Sequence, residues 1–148
     1  MNIRPAELDE VEAIANIYIA SFKAAMPAVK LAHNENEIKE WFKKVLVPNG
    51  GTWVADDEGN LVGFMSLDDD MLEELYLTPS AQGKGVGSML MEKAKQLNPT
   101  GLKAYTFQIN NVARKFYEKH GFVAVSFNSG ERNEEHEPDI LYEWKPKD

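Results

Sequence analysis

The sequence predicts a mixed α/β fold in which one central sheet carries helices on both faces. Strand-like and helix-like patterns follow one another in the order βααβββαβαββ. In the first half, an acidic turn joins two strand-like runs, 52–55 and 61–67, which is typical of an antiparallel hairpin. The second half repeats strand–helix–strand units, which favour parallel neighbours. The sheet is therefore expected to be mixed.

The first half is predicted to contain a short strand, two helices and the hairpin. Acidic residues from Glu7 to Glu12 crowd the first turns of the first helix, where the helix dipole favours anions. Turn residues from Pro48 to Gly51 end the second helix. The expected ranges are strand 2–4, helix 6–22, loop 23–34, helix 35–47, and strands 52–55 and 61–67.

The second half is punctuated by proline and glycine. Pro79 has no N–H to donate to a ladder and ends the strand before it. Gly121 is the expected end of the last helix. The expected ranges are strand 72–77, a helix ending at 97, strand 102–109, helix 112–120, a polar loop 128–139, strands 123–127 and 140–144, and a tail 145–148.

Composition narrows the function classes. The 148 residues carry 16 basic and 24 acidic side chains, a net charge of −8, which disfavours a nucleic acid partner. The charge is mildly favourable to a cationic substrate, and ordinary solubility explains it equally well. There is no cysteine, hence no disulfide, thiolate metal site or cysteine nucleophile. With no signal peptide and no apolar run near the ~20 residues of a membrane span, we expect one cytoplasmic domain, 1–148, without a membrane partner.

The glycine-rich turn from Gln82 to Ser88 lies between a strand and a helix. The first turn of a helix leaves backbone N–H groups unpaired and carries partial positive charge. Glycine lets a phosphate approach these donors, and Lys84 adds a positive charge. The turn therefore predicts a pyrophosphate site, although a solvated turn before an amphipathic helix has the same composition.

Two well-known phosphate loops do not fit. A P-loop needs a glycine where Thr78 stands and Ser or Thr after the Gly-Lys pair, where Gly85 stands. A dinucleotide fingerprint needs a third glycine where Ser88 stands, and an acidic residue after a second strand.

A different pattern does fit. Gln82-x-x-Gly85-x-Gly87, preceded by Leu-Tyr-Leu-x-Pro at 75–79, resembles the acetyl-CoA loop of the GCN5-related N-acetyltransferases, the GNAT family. The segment 110–122, with Asn110, an alanine three residues on, Tyr117 and Gly-Phe, resembles the family's other signature. The two segments cover the C-terminal half; the N-terminal half resembles the family only in its order of elements.

The resemblance implies the GNAT acyl-CoA N-acyltransferase fold, with acetyl-CoA as co-substrate. In that family the strands corresponding to 72–77 and 103–108 splay apart, and pantetheine enters the gap. The backbone of the central strand and Asn110 are then expected to hold pantetheine, and the glycine turn the pyrophosphate. The implied acetyl-CoA residues are Leu75, Tyr76, Leu77, Gln82, Gly83, Lys84, Gly85, Val86, Gly87, Ser88, Asn110 and Ala113.

The resemblance also implies two proton-transfer roles. Tyr117 matches the tyrosine that protonates the departing thiolate; packing beside Phe116 and Phe122 is the structural alternative. Glu73 and Glu74 are the candidates for the base that deprotonates the amine, although water can serve and both carboxylates can simply be solvated. Successive strand residues face opposite ways, so only one can face the amine. The preference falls on Glu73, following the place where family members carry their base.

The acceptor is expected to meet the N-terminal helices and the acidic loop 128–139. Trp41 and Phe42 either line that site or belong to the core, and the five acids of the loop either bind a cation or are solvated. His120 is expected to cap a helix, whereas His33 and His136 lie in loops, where either can touch substrate. Asp68 to Asp70 lack the spacing of metal ligands, and no metal is expected.

The leading hypothesis is an enzyme, an N-acetyltransferase that transfers the acetyl group directly to a primary amine of a small molecule or a peptide. A small molecule is favoured, and a homodimer is possible. The second hypothesis is a non-catalytic module that senses acetyl-CoA or mediates interactions. The third, a nucleotide-binding protein, is disfavoured by the failed P-loop pattern.

Overall fold

A computed structural model describes residues 1–147 as one seven-stranded mixed sheet with helices on both faces. The order of elements is the expected one, and the strand order in the sheet is β1-β2-β3-β4-β5-β7-β6. The strands are β1 Asn2–Pro5, β2 Thr52–Asp57, β3 Asn60–Asp68, β4 Met71–Leu77, β5 Leu102–Phe107, β6 Val123–Asn128 and β7 Asp139–Trp144. The helices are α1 Val11–Ala25, α2 Glu35–Trp41, α3 Val86–Leu97 and α4 Asn111–Lys119.

Alternation along the hairpin gives the sheet its two cores. Val54 and Phe64 are buried with α1 and α2 on one face. Their neighbours Ala55 and Met65 are buried on the other face with residues of α3 and α4. Successive strand residues point to opposite faces, so two apolar neighbours in each central strand require helices on both sides.

The described strands other than β5 are one or two residues longer than expected, and three further elements also differ. The first helix opens with a 3₁₀ turn at Leu8–Glu10 and extends to Ala25, past the expected end at 22. The second leaves the α-helical pattern after Trp41 and continues as a π-helical turn, Phe42–Leu46. Strand β5 ends at Phe107, because the chain turns there towards Asn110 at the start of α4. The last predicted tail residue, Asp148, lies outside the described residues.

The two strand–helix–strand units, β4–α3–β5 and β5–α4–β6, favoured two pairs of parallel neighbours. The described residues form one such pair. β4 and β5 are parallel, but β7 inserts between β5 and β6 and pairs antiparallel with both. The expectation that β6 lies beside β5 was therefore wrong. The chain continues beyond β6, and its last strand takes the position between them.

Candidate active site

The parallel pair β4–β5 opens almost at once. Its recorded pairing is limited to Met71 with Lys103, beside a hydrogen bond of 2.8 Å from Lys103 N to Asp70 O. On its other edge β4 remains paired with β3 as far as Leu77. The part of β4 from Leu75 to Leu77 therefore presents backbone groups to a gap between the strands, which confirms the expected splay.

The glycine turn lies at the C-terminal end of this gap. Gly83 and Gly85 adopt φ values of +78° and +85°, which favour glycine, and open space surrounds the Cβ position of both. Gly85 is the N-cap of α3, and the first regular helical bond runs from Met89 N to Gly85 O. The N–H groups of Val86, Gly87 and Ser88 precede that bond and form the donor set of a helix N-terminus.

Close packing brings α4 against this turn. A Cβ on Gly87 would lie 2.9 Å from Phe116 Cε1, so glycine is what lets α4 approach α3 here. Ser88 Oγ lies 3.1 Å from Nε2 of His120, the C-cap residue of α4. Val86 is buried in the core, whereas Lys84 is exposed.

Helix α4 supplies two polar residues to the gap. Asn110 is buried and caps the helix, accepting the N–H of Ala113 at Oδ1 over 3.1 Å. Tyr117 is buried between Phe122 and Tyr142, with ring centroids 5.2 and 5.8 Å away. Burial, together with the charge of Glu74, raises the Tyr117 pKa, which keeps the phenol protonated and able to donate a proton.

Three clefts follow one another along the gap. The first, here called the glycine-loop cleft, has a volume of about 150 Å³ and is lined by Gln82, Gly83, Gly87 and Leu77 among others. The central cleft, about 200 Å³, shares with it the residues Leu75, Tyr76, Asn110, Ala113 and Tyr117. The third, the acidic cleft, has about 530 Å³ and shares Tyr18, Glu74 and Glu135 with the central cleft. The three clefts therefore adjoin one another in a row, here called the passage, from the glycine turn past Tyr117 to the acidic cleft.

Glu73 and Glu74 occupy different environments, as alternation requires. Glu73 is exposed and lines the central cleft only. Glu74 is half-buried and lies at the junction of the central and acidic clefts. Burial, then the charges of Glu73 and Glu135, raise the pKa of Glu74 to about 8. Glu74 is thus the one of the two carboxyl groups that borders both clefts, and its raised pKa lies near neutral pH.

The walls of the acidic cleft come from α1, α2 and the loop 128–139. Four further acids line it besides Glu74: Glu37, Glu40, Glu134 and Glu135. Trp41 is 42% exposed and lines this cleft, whereas its neighbour Phe42 is 1% exposed and belongs to the core. The sequence left open whether Trp41 and Phe42 line the acceptor site or belong to the core. In the structure, Trp41 lines the cleft and Phe42 belongs to the core.

The loop 128–139 reaches across the acidic cleft to the segment after α1. Glu135 Oε2 accepts the N–H of Ala32 over 3.2 Å, and Glu134 pairs with Nε2 of His33. This ion pair is the main cause of a raised His33 pKa. His33 thus lines the cleft, while His136 lies at a turn of the loop with φ +53°.

Two residues of this site were not singled out from the sequence. Tyr18 lies within the range predicted for the first helix, and Glu135 is one of the five acids of the predicted loop 128–139. Tyr18 packs edge-on to Tyr76 with centroids 5.0 Å apart and borders both the central and acidic clefts. Helical spacing does not distinguish such a position from the core, and a contact across 103 residues leaves no local signal.

A split parallel strand pair beside a glycine turn and a helix N-terminus is the arrangement that the resemblance to the GNAT family implied. Comparison with known proteins points to the same family. Residues 48–124 match the acetyltransferase (GNAT) domain model. Peptidyl-lysine N-acetyltransferase YjaB of Salmonella typhimurium is 34% identical over 123 residues, which make up 82% of this chain and 83% of that protein.

Solved structures show the same fold. The solution structure of apo YjaB from Escherichia coli superimposes with a TM-score of 0.82 at 26% identity, over 97% of this chain and 96% of that one. The crystal structure of PaiA N-acetyltransferase from Thermoplasma acidophilum, in complex with coenzyme A, gives a TM-score of 0.74 at 21% identity over 98% of both chains.

The chain belongs to the GNAT acetyltransferase family, as the sequence resemblance predicted. It is an N-acetyltransferase, and its co-substrate is acetyl-CoA. Within the described residues, the helices are all too short or too polar to cross a membrane.

Proposed function

We propose that the 148 residues act as one domain that transfers the acetyl group of acetyl-CoA directly to a primary amine, with a lysine side chain of a peptide as the favoured acceptor. The observation that carries this proposal is the passage from the glycine turn to the acidic cleft, with Tyr117 and Glu74 along it. A small-molecule amine, favoured from the sequence, becomes the second candidate. The name of the YjaB relative supports the peptide.

The donor side fits acetyl-CoA. The backbone of Leu75, Tyr76 and Leu77 borders the gap and would hold pantetheine together with Asn110 and Ala113. The unpaired N–H groups at the start of α3, the open space at Gly83 and Gly85, and the exposed Lys84 suit the pyrophosphate. Gln82 and Ser88 complete the set of residues that we assign to this side.

The acceptor side fits a cation with an apolar stem. The acidic cleft combines five glutamate side chains with Tyr18, Leu31, Ile38 and Trp41. The other lining residue is His33, which is paired with Glu134, and none of the described lining residues is Lys or Arg. An alkyl chain packs against the apolar wall while an ammonium group is attracted by the carboxylates and by the exposed indole. The cleft is thus suited to a lysine side chain.

The two proton-transfer roles follow from the passage. Acetyl-CoA supplies the activated acetyl group. Glu74 accepts a proton from the bound ammonium group, so that the free amine can attack, and Tyr117 donates its phenolic proton to the departing sulfur. We assign the base to Glu74 in place of Glu73, because Glu74 borders the acidic cleft and Glu73 does not.

A thiol-release assay tests this function. Purified protein is incubated with acetyl-CoA and, in turn, lysine peptides, polyamines, amino acids and aminoglycosides, and acetylated products are identified by mass spectrometry. We expect CoA release that depends on a lysine peptide, with the acetyl group on the ε-amine. Release with small amines alone would favour the second candidate. Tight acetyl-CoA binding without turnover on any amine would contradict the proposal and indicate a binding module.

A further inference from the structure

Glu135 has a position that no other acidic residue of the loop shares. It borders both the central and the acidic clefts, as Glu74 and Tyr18 do, whereas Glu134 borders only the acidic cleft. The point where the amine must meet the acetyl group is therefore flanked by carboxylates from two different elements, β4 and the loop 128–139.

The fold holds Glu135 there by three sets of contacts. Its own Oε2 accepts the N–H of Ala32 over 3.2 Å. Asn133 folds the loop locally, donating from Nδ2 to Glu137 O at 2.7 Å and to Asp139 Oδ2 at 3.1 Å, and accepting the N–H of Glu137 at Oδ1. Beside it, Glu134 pairs with His33. The loop is thus folded on itself between Asn133 and Asp139 and bound to the segment after α1 through Glu134 and Glu135.

We propose that Glu135 is a positioning residue that sets a second carboxylate beside Glu74 and thereby makes the site selective for acceptors that arrive as cations. This inference rests on the proposed function. In the free protein, burial and then repulsion by the charges of Glu73 and Glu135 raise the pKa of Glu74, so that Glu74 retains its proton at neutral pH. A bound ammonium group relieves the repulsion, Glu74 releases its proton to solvent, and the Glu74 carboxylate then takes one proton from the ammonium group to give the neutral amine.

The charges around Glu74 are consistent with this role. Titratable side chains from several elements line the two clefts that Glu74 borders. In the central cleft they are Tyr18, Glu73, Tyr76, Tyr105, Tyr117, Glu135 and Asp139, and in the acidic cleft Tyr18, His33, Glu37, Glu40, Glu134 and Glu135. Glu135 is one of the two carboxylates that raise the Glu74 pKa, and Glu134 is not among the causes. Asp139 of β7 also lines the central cleft, nine-tenths buried, with Oδ1 lacking a partner among the described residues. The junction is thus rich in negative charge until a cation enters.

The test compares Glu135→Gln with Glu134→Gln. Glutamine keeps an oxygen that can accept the Ala32 N–H, so Glu135→Gln removes the charge and preserves the tie. The pH dependence of kcat/KM is measured with one lysine peptide for wild type and both variants. For Glu135→Gln we expect the rising limb to move to lower pH by about 0.5 to 1 unit, with a higher KM for the peptide. For Glu134→Gln the limb should stay in place.

An independent readout is the ¹³C chemical shift of the Glu74 carboxyl in the free protein. When this shift is followed against pH, the midpoint of the titration should move to lower pH in Glu135→Gln and stay unchanged in Glu134→Gln. The inference would be overturned if the wild type is active but Glu135→Gln moves neither the rising limb of the pH profile nor the titration midpoint of Glu74. It would also be overturned if Glu134→Gln moves both by the same amount. Either result would leave the proposed function standing. A wild type that acetylates no amine would refute the proposed function, and this inference with it.

Discussion

The two sides of the passage are built from different parts of the polypeptide. The donor side consists largely of backbone: an unpaired strand edge at Leu75–Leu77, the first N–H groups of α3, and two glycines with positive φ. The acceptor side consists of side chains, five glutamates and a partly exposed tryptophan among them. Backbone geometry can be kept while side chains change, so we expect the donor side to fit one co-substrate and the acceptor side to set the selectivity for the amine.

The comparison predicts that donor-side changes affect acetyl-CoA binding first. Gly85→Glu places a carboxylate at the helix N-terminus where the pyrophosphate belongs, and acetyl-CoA binding should be lost, as measured by calorimetry. Part of any effect would be backbone strain, since Gly85 has φ +85°. Gly59→Glu is the matched control: Gly59 has φ +92° and equally open surroundings, but lies in the β2–β3 turn. Equal affinity in both variants would refute the assignment of the loop.

For a substitution at the middle of the passage, we expect the rate of the chemical step to change and the binding of acetyl-CoA to stay the same. Tyr117→Phe removes the proton donor and should lower kcat about 100-fold, the usual size of a general-acid contribution, with little change in acetyl-CoA affinity. Tyr142→Phe is a suitable control, because the Tyr142 ring stacks on Tyr117 while its hydroxyl donates to Glu118 over 2.7 Å. A Tyr117→Phe variant within about twofold of wild type, with chemistry limiting the rate, would leave Tyr117 as a packing residue.

Replacement of the proposed base, Glu74, should have a smaller effect on kcat/KM, and the size of that effect should depend on pH. With a pKa of about 8, about one-tenth of Glu74 is ionised at pH 7, and the ionised fraction rises as the pH increases. Glu74→Gln should lower kcat/KM about tenfold at pH 7. The gap to wild type should narrow towards pH 9, because an amine with a pKa of about 10 becomes neutral faster than Glu74 becomes ionised and then needs no base. Glu73→Gln should do less at every pH. The opposite ranking of the two variants would return the role to Glu73.

The sequence specified the donor side well because its signals are local. The short segments are Gln82 to Ser88 and Asn110 to Tyr117. Their residue types indicate a local structure directly: the glycines indicate a turn with positive φ, and the asparagine indicates a helix cap. The fold class followed from the order of elements. The position of β7 did not, because local patterns give no information on which edge a returning strand will pair with.

The acceptor side was harder to predict for a physical reason. Alternation indicated that only one of Glu73 and Glu74 can face the amine, but the choice needs the placement of the clefts around β4. Trp41 and Phe42 are adjacent on one apolar helical pattern, and the π-helical turn that begins at Phe42 separates them. Glu135 meets Ala32 across 103 residues, a contact that periodicity cannot predict.

The smallest effect is expected at the wall of the acidic cleft. Trp41→Ala should raise the KM for a lysine peptide about threefold to fivefold, since a cation over an exposed aromatic ring contributes about 0.5–1 kcal/mol. Acetyl-CoA affinity should not change. Val45→Ala serves as the control, because Val45 is 46% exposed on the same helical segment and lines none of the three clefts. An unchanged KM in Trp41→Ala would place the acceptor elsewhere.

The most direct measurement follows free CoA and acetylated lysine peptide in the same reaction over time. Direct transfer through the passage predicts that the two products appear together, one acetylated ε-amine for each CoA released. CoA release that outpaces peptide acetylation, or that proceeds unchanged without peptide, would contradict the account, because the acetyl group would then be reaching water and not an amine held in the acidic cleft.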